Sequence, residues 1–333
     1  MYAVVVEKKN GEKIRKKLEL AKKLDHARKI ELVNGNLILP VTEYIKNTDL
    51  QIIEYEGTER SRVLSPFEKI KAKIDIPESL KVNLPNRWEQ YGSVLILKYP
   101  RIIETFKNQV LPVYAEELNV KTILHEKGKI HDIIRVPDMD IIYGNDPETI
   151  HIENGIKYKF DTTKIMFSSG NVNERVRMSK INVESETIID MFAGIGYFAL
   201  PLAKYQKPEK IFACELNPIA FKYLKENIEL NKIENIEPYL GDNRTFDRAK
   251  ANRILMGYID TEQFIPKALS LLYSGKGILH FHNTWTTEEL KNKDETLKKY
   301  AKKYGFEYDL LYFSIIKSYA PHIWHIVADL KIL

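Results

Sequence analysis

Cysteine is almost missing: Cys214 is the only one in 333 residues. A lone thiol excludes an internal disulfide and offers no zinc-ligand spacing, so a reducing cytoplasm is the expected location. Long apolar runs are missing as well. The most apolar window, Ile188 to Ala203, is interrupted by Asp190, two glycines and Pro201. It falls short of the unbroken span a membrane helix needs, so no membrane association is expected. The opening Met1-Tyr2-Ala3-Val4-Val5-Val6-Glu7-Lys8 reaches charge too early for a secretory signal. Neither charge sign dominates: 51 Lys and Arg stand against 46 Asp and Glu, a net charge of +5. That balance permits a polyanionic partner without requiring one. There is no long internal repeat and no low-complexity tract.

What is present is enough apolar sequence for real cores, 44% of residues, over a length suited to two or three domains. Tyr2 to Glu7 reads as a short strand. A basic helix is expected from about Lys13 to Lys29, because Ile14, Leu18, Ala21 and Leu24 fall at helical spacing. Its lysines lie mostly off that stripe and read as a solvated face before an RNA-contacting one. From about Leu80 the text turns to strands punctuated by Pro and Gly: Leu84 to Trp88, Ser93 to Lys98, Val120 to Leu124, Arg135 to Pro137, Ile141 to Gly144 and Ile156 to Phe160. The expected division is a basic α/β segment over 1–80, an α+β module over 81–163 that contacts tRNA, and a catalytic domain over 164–333.

After Lys164 strand and helix alternate. Strands are expected at Thr187–Phe192, Lys210–Leu216, Ile236–Gly241, Arg253–Ile259 and Gly277–His282, with helices at Tyr197–Tyr205 and Pro218–Asn231. The alternation argues a parallel α/β sheet. It ends differently. Tyr308–Tyr319 and His322–Leu333 are joined by Ala320 and Pro321 alone, which permits a hairpin and forbids a parallel crossover. A mostly parallel sheet finished by an antiparallel pair is the Rossmann-type fold of S-adenosylmethionine-dependent transferases.

Gly194-x-Gly196-x-x-Ala199 opens a helix and lets backbone N–H groups approach a ligand. A nicotinamide oxidoreductase would use the same fingerprint. The neighbouring acids discriminate. Asp190, before the turn, would repel a pyrophosphate but suits the amino group of S-adenosylmethionine. Glu215, ending the second strand, can accept hydrogen bonds from both ribose hydroxyls. Asp242 and Asn243, ending the third, can pair with an adenine edge. Acidic helix caps explain any one of these and poorly explain all three.

With these motifs in view the chain resembles a known family. Met166-Phe167-Ser168, Asn173-Glu174-Arg175-Val176-Arg177, the Asp190 loop and Glu215-Leu216-Asn217-Pro218 are similar to the archaeal and eukaryotic tRNA methyltransferases acting on the guanosine 3′ of the anticodon. They are equally similar to the paralogous wybutosine-synthesising transferases, which move a 3-amino-3-carboxypropyl group. The resemblance covers Pro137 to the C-terminus well, including Pro147-Glu148-Thr149-Ile150 and Glu153-Asn154-Gly155-Ile156, and is thin before Leu84. It implies that Ser168 and Arg175 line the cofactor pocket, with Arg175 available to the cofactor's carboxylate, and that Glu174 is an acid/base. Without that context Glu174-Arg175 reads as a surface ion pair at a helix start.

One departure separates the paralogues. The methyltransferases carry Asn-Leu-Pro or Asn-Pro-Pro after the fourth strand, whereas Leu255-Met256-Gly257-Tyr258-Ile259 has neither Asn nor Pro. Met-Gly-Tyr resembles the wybutosine enzymes, as do His282-Asn283-Thr284 and Tyr319-Ala320-Pro321. The resemblance therefore implies aminocarboxypropyl transfer onto a tricyclic guanosine derivative in the anticodon loop of tRNA(Phe); a monomer is expected. The alternatives are a guanosine N1-methyltransferase, a nicotinamide oxidoreductase and a non-catalytic RNA-binding protein.

The remaining candidates carry less. His280 and His282 share a strand face, but no nearby Cys or carboxylate completes a metal set, so no metal is expected. His125, His131, His322 and His325 show no ligand spacing. Cys214 reads as a small core residue. Lys69, Lys71, Lys73, Arg87 and Lys98 are a candidate phosphate-contacting surface, with Trp88 in the core.

Overall fold

The computed structural model describes residues 1–46, 48–60, 63–128 and 136–333. His131 and Arg135 lie outside the described residues. Two compact units divide at Lys69/Ile70.

The first unit holds β1 (Tyr2–Glu7), α1 (Lys8–Leu20), β2 (Glu31–Val33), β3 (Asn36–Val41) and β4 (Gln51–Glu54). Its sheet runs β2-β3-β1-β4, with β1 antiparallel to both neighbours. Val4, Val6, Leu18, Leu24, Leu39 and Val41 form the core. The helix starts earlier and ends sooner than its apolar spacing predicts. Lys22 takes a left-handed φ of 55°. Lys22 N–H then donates to Glu19 O and Lys23 N–H to Leu18 O, a Schellman closure that stops the helix. Leu24 still reaches the core, through a bridge to Val41.

α2 (Pro66–Lys73) carries the division. The second unit continues with α3 (Glu78–Lys81), β5 (Trp88–Tyr91), β6 (Val94–Leu97), α4 (Lys107–Glu117), β7 (Thr122–Glu126) and β8 (Met139–Tyr143). These strands form a sheet of order β5-β6-β7-β8 in which only β6 and β7 are parallel. The strand expected over Leu84 to Trp88 begins at Trp88. β9 (Glu148–Glu153) and β10 (Ile156–Asp161) make a hairpin.

The largest sheet follows: α5 (Val172–Met178), β11 (Thr187–Asp190), α6 (Ala199–Gln206), β12 (Lys210–Glu215), α7 (Pro218–Leu230), β13 (Ile236–Leu240), β14 (Arg253–Met256), α8 (Ile265–Leu271), β15 (Gly277–Thr286), α9 (Thr287–Lys291), α10 (Lys293–Tyr304), β16 (Tyr308–Ala320) and β17 (Ile323–Ile332). Its order is β13-β12-β11-β14-β15-β17-β16. The first five strands are parallel, and β17 lies antiparallel between β15 and β16. This is the expected Rossmann-type sheet with its antiparallel C-terminal pair. His322, at a φ of 62°, makes the hairpin turn. β11 and β14 are buried along their whole length, as central parallel strands are. The strand order reverses between them, and ligands bind at such a point, beyond the carboxyl ends. No helix among the described residues is long and apolar enough to cross a membrane.

Buried Asn227 on α7 ties this crevice together. Its side chain accepts from Lys159 N–H and donates to the carbonyls of Lys159 and Ile195. One amide thereby joins β10, α7 and the glycine loop.

Candidate active site

A cavity of about 500 Å³ opens over the carboxyl ends of β11, β12 and β14. Its floor is the glycine turn. Gly194 and Gly196 have φ of 56° and 102°, where side chains are strained. A Cβ on Gly194 would also stand 2.5 Å from the Tyr197 ring. The Tyr197 hydroxyl donates to Met166 O at 2.6 Å, fixing the Met166-Phe167-Ser168 segment beside the turn.

Glu215 closes one side. Its Oε2 accepts from Gly194 N–H and its Oε1 from Asn217 N–H, both at 2.7 Å. Burial raises its carboxyl, and these backbone donors oppose the rise. Asn243 lines the cavity and donates to Met191 O at 2.8 Å, leaving its Oδ1 buried without a partner. Asp242 also lines it, held by Arg244, whose hydrogen bond lowers the carboxyl. Asp190 is not part of the cavity wall. It is fully buried, accepts from Phe192 N–H through Oδ1, and has no partner at Oδ2. Burial, helped by Glu215, pushes its carboxyl up to about 7.

Ser168 and Arg175 line the cavity. Lys317 Nζ donates to Ser168 Oγ at 2.6 Å. The Arg175 guanidinium forks onto Glu153 at 2.5 and 2.7 Å and donates to Ser168 O, so it braces the wall from β9. Glu174 is different. Its side chain is 2% exposed, and it is not among the residues lining the cavity. The surface ion pair that Glu174-Arg175 suggests without the family context does not form, because adjacent residues on a helix point apart and pairs form at i,i+3. Glu174 is instead gripped by Arg177 through both oxygens, at 2.7 to 3.0 Å.

The expectation that no carboxylate stands near His280 and His282 is corrected here. Glu174 arrives from α5 and Asp329 from β17, and sequence spacing along β15 registers neither. His280 Nδ1 lies 2.5 Å from Asp329 Oδ1, and its Nε2 lies 3.2 Å from Glu174 Oε1 and 2.9 Å from His282 Nε2. His282 Nδ1 is 2.9 Å from Nε2 of His325, which lines the cavity. Arg177 completes the cluster on Asp329 at 2.6 Å. Desolvation lowers the His280 imidazole, but the attraction of Asp329 and Glu174 outweighs it and the net shift is upward. Burial, with His280, His325 and Arg177 around it, drives His282 well down. Against the cost of burial, His280 and Arg177 hold Glu174 below the usual carboxylate range. Donor atoms of Glu174, His280 and His282 lie within 4.8 Å of one another. Arg177 on both Glu174 oxygens already supplies the positive charge a metal would bring, so the group is a hydrogen-bonded network. His325 had no signal in its own spacing; its register on β17 beside Thr284 of β15 reveals it.

A second cavity, about 710 Å³, shares Ile165, Met166, Ser168 and Lys317 with the first and carries Arg87, Trp88 and Lys98. Trp88 is half-buried, edge-on to Tyr114. Lys73 is paired with Glu116 and Glu117, and Lys98 with Glu126.

Residues 149–311 match the TRM5/TYW2 methyltransferase domain. A relative from Pyrococcus horikoshii, named tRNA(Phe) (4-demethylwyosine(37)-C(7)) aminocarboxypropyltransferase, is 48% identical over 263 residues, 78% of this chain and 93% of that protein. The chain belongs to the TRM5/TYW2 family. The two other parts of TRM5/TYW2 proteins match as well: a TYW2 N-terminal domain over 69–147 and a tRNA methyltransferase 5 N-terminal domain over 3–49. The TRM5/TYW2 member Trm5b of Pyrococcus abyssi, a tRNA (guanine(37)-N(1))-methyltransferase, is 34% identical over 99% of this chain and 98% of its own. The crystal structure of P. horikoshii TYW2 in complex with MeSAdo superposes with a TM-score of 0.71 at 44% identity, covering 80% of this chain and 98% of that one.

Proposed function

We infer that this chain transfers the 3-amino-3-carboxypropyl group of S-adenosylmethionine to C7 of 4-demethylwyosine at position 37 of tRNA(Phe). The observation that carries this over methyl transfer is Gly257. A Cβ there would lie 2.5 Å from Phe198 Cε2, so the asparagine that the methyltransferase reading requires would have to displace the Phe198 ring. The aminocarboxypropyltransferase relative supports the same choice.

The residues present fit the cofactor. Asn243 Oδ1 and Asp190 Oδ2 are buried acceptors without partners, and the turn leaves open the space that Cβ atoms would fill. Glu215 holds the ribose hydroxyls, Asp242 and Asn243 take the adenine edge, and Gly194 and Gly196 let the backbone close in. Asp190, buried behind the cavity wall, would act on the amino group through its charge alone. Ser168, braced by Arg175 and Lys317, borders the reacting end. When bound, S-adenosylmethionine supplies a sulfonium that activates the carbons attached to it. The cavity's part is to fix which carbon faces the acceptor base, since attack proceeds in line with the leaving sulfur. The adjoining cavity with Arg87, Trp88 and Lys98 is the approach for the anticodon-loop nucleotides, combining cationic and stacking groups.

Incubation with carboxyl-labelled S-adenosylmethionine and tRNA(Phe) carrying 4-demethylwyosine tests the reading. Label in the RNA is expected. A methyl-sized mass gain without label would mean N1-type methyl transfer instead.

A further inference from the structure

We propose that His325, His282 and His280 form a proton relay that carries the proton displaced from the acceptor carbon out of the cofactor cavity to His280, between the Glu174 and Asp329 carboxylates. The proposal rests on the aminocarboxypropyl-transfer reading. Bond formation at a ring carbon leaves a proton that must depart. The carbon–sulfur bond breaks with its electron pair on sulfur, and the new carbon–carbon bond forms from the ring's π electrons. The C7–H bond then returns its pair to the ring, and the proton passes to a base.

The geometry supplies an unbroken path. His325 lines the cavity, and two steps of 2.9 Å lead from its Nε2 through both nitrogens of His282 to His280 Nε2. The sheet builds this line. His280 lies opposite Asp329 and Thr284 opposite His325 on β17, so His282 sits diagonally beside His325, within side-chain reach. His280, His282 and His325 are 0%, 1% and 5% exposed, which keeps bulk water from the path. Phe198 stacks on His282 at 5.4 Å and an interplanar angle of 26°, holding the middle ring in line.

The charges supply a destination. Glu174 and Asp329 bring two negative charges, and Arg177 brings one positive. One proton on His280 closes the difference. Before transfer, His280 donates from Nδ1 to Asp329 and accepts at Nε2 from His282, which accepts at Nδ1 from His325. A proton taken up at His325 Nδ1 shifts each hydrogen one place. The result is imidazolium at His280, between Asp329 and Glu174, with His282 and His325 again neutral. The groups facing this line are Glu174 and Arg177 from α5, Asp190 from β11, Asp329 from β17 and Lys317, which pairs with His325 across β16. The strong downward shift at His282 suits a group that passes a proton on, and the upward shift at His280 suits one that keeps it.

The test uses single-turnover label transfer by the full chain, wild type, H325A and H282F, with and without imidazole. H282F keeps a ring against Phe198 and removes both nitrogens. Transfer is expected to slow about 100-fold or more in each variant, in the range of general acid–base effects. The affinity of H282F for S-adenosylmethionine, measured by calorimetry, should hold within about twofold, since His282 does not line the cavity. Imidazole should restore H325A by at least tenfold and leave H282F unrescued, which a packing defect would not do. A second readout needs no turnover: ¹⁵N-histidine NMR of the ligand-free wild type should show His280, His282 and His325 neutral at the assay pH, with His280 protonating ahead of His282 as the pH is lowered. Variants that transfer at the wild-type rate, a charged His282, or a stoichiometric divalent metal in the purified protein would overturn the relay. Wild type that puts no carboxyl label into RNA would overturn the functional reading and the relay with it. Active wild type with unaffected variants would remove the relay alone.

Discussion

A Cβ on Gly257 would lie 2.5 Å from Cε2 of Phe198, whose ring stacks on His282. Position 257 is therefore a space reservation for an aromatic ring. G257N is expected to push Phe198 off its rotamer and to cost about 1–3 kcal/mol, as overpacking does. Thermal melting reads the loss. An unchanged melting temperature would mean that Phe198 has room to swing.

Glu215 bridges the backbone N–H groups of Gly194 and Asn217. E215Q replaces one acceptor oxygen with a donor facing a donor. The expected loss in S-adenosylmethionine affinity is about 1.5–3 kcal/mol, roughly ten- to hundred-fold in Kd. Calorimetry measures it, with reduced nicotinamide dinucleotide as the control ligand. That dinucleotide should give no heat with either protein.

Asp190 gives a pH-dependent signature. Its carboxyl sits at about 7 in the fold against about 3.9 in an unfolded chain. The folded state therefore binds the extra proton between these values, and this group's contribution to stability falls as pH rises from about 4 to 7. A cationic amino group above it would favour the ionised form. Cofactor binding near pH 6.5 is then expected to release a fraction of a proton, seen as a dependence of binding heat on buffer ionisation enthalpy. D190N should abolish the release.

Asp329 behaves in the opposite sense. Although burial opposes ionisation, His280 and Arg177 hold its carboxyl well below the usual range. The stability it confers is complete above an unfolded carboxylate's pKa and is lost as pH falls through the folded value. D329N leaves Arg177 and His280 facing an amide and is expected to cost about 3–5 kcal/mol at pH 7, the range for a broken buried pair. Urea unfolding at pH 7 and at pH 3.5 should show the variant's deficit shrinking in acid.

Most of the architecture was readable because it is local. Alternating strand and helix runs, glycines at the turn and a two-residue link before the final strand are short-range patterns, and the sheet follows from them. Glu215 ends β12, and Asp242 and Asn243 follow β13 by two and three residues, so local pattern alone brings all three to the cavity wall. The end of α1 was missed because Lys22, an ordinary residue, takes the left-handed position usually given to glycine. The histidine line was missed because its partners come from α5 and β17. Within Asn173 to Arg177 the partners could not be read from spacing: Arg175 turns to Glu153 and Arg177 to Glu174.

The chain's one cysteine lies on β12, beside the glutamate that ends the strand, and its carbonyl accepts from Ala193 N–H in the glycine turn. Cys214 is fully buried, and burial pushes its thiol up to about 12. Alkylating reagents consume thiolate, so a folded molecule gives them nothing to react with. The strand that ends in Glu215 thus carries its own stopwatch. Labelling counts the moments when β12 comes loose, and any ligand that prefers the closed sheet slows the count in proportion to its occupancy.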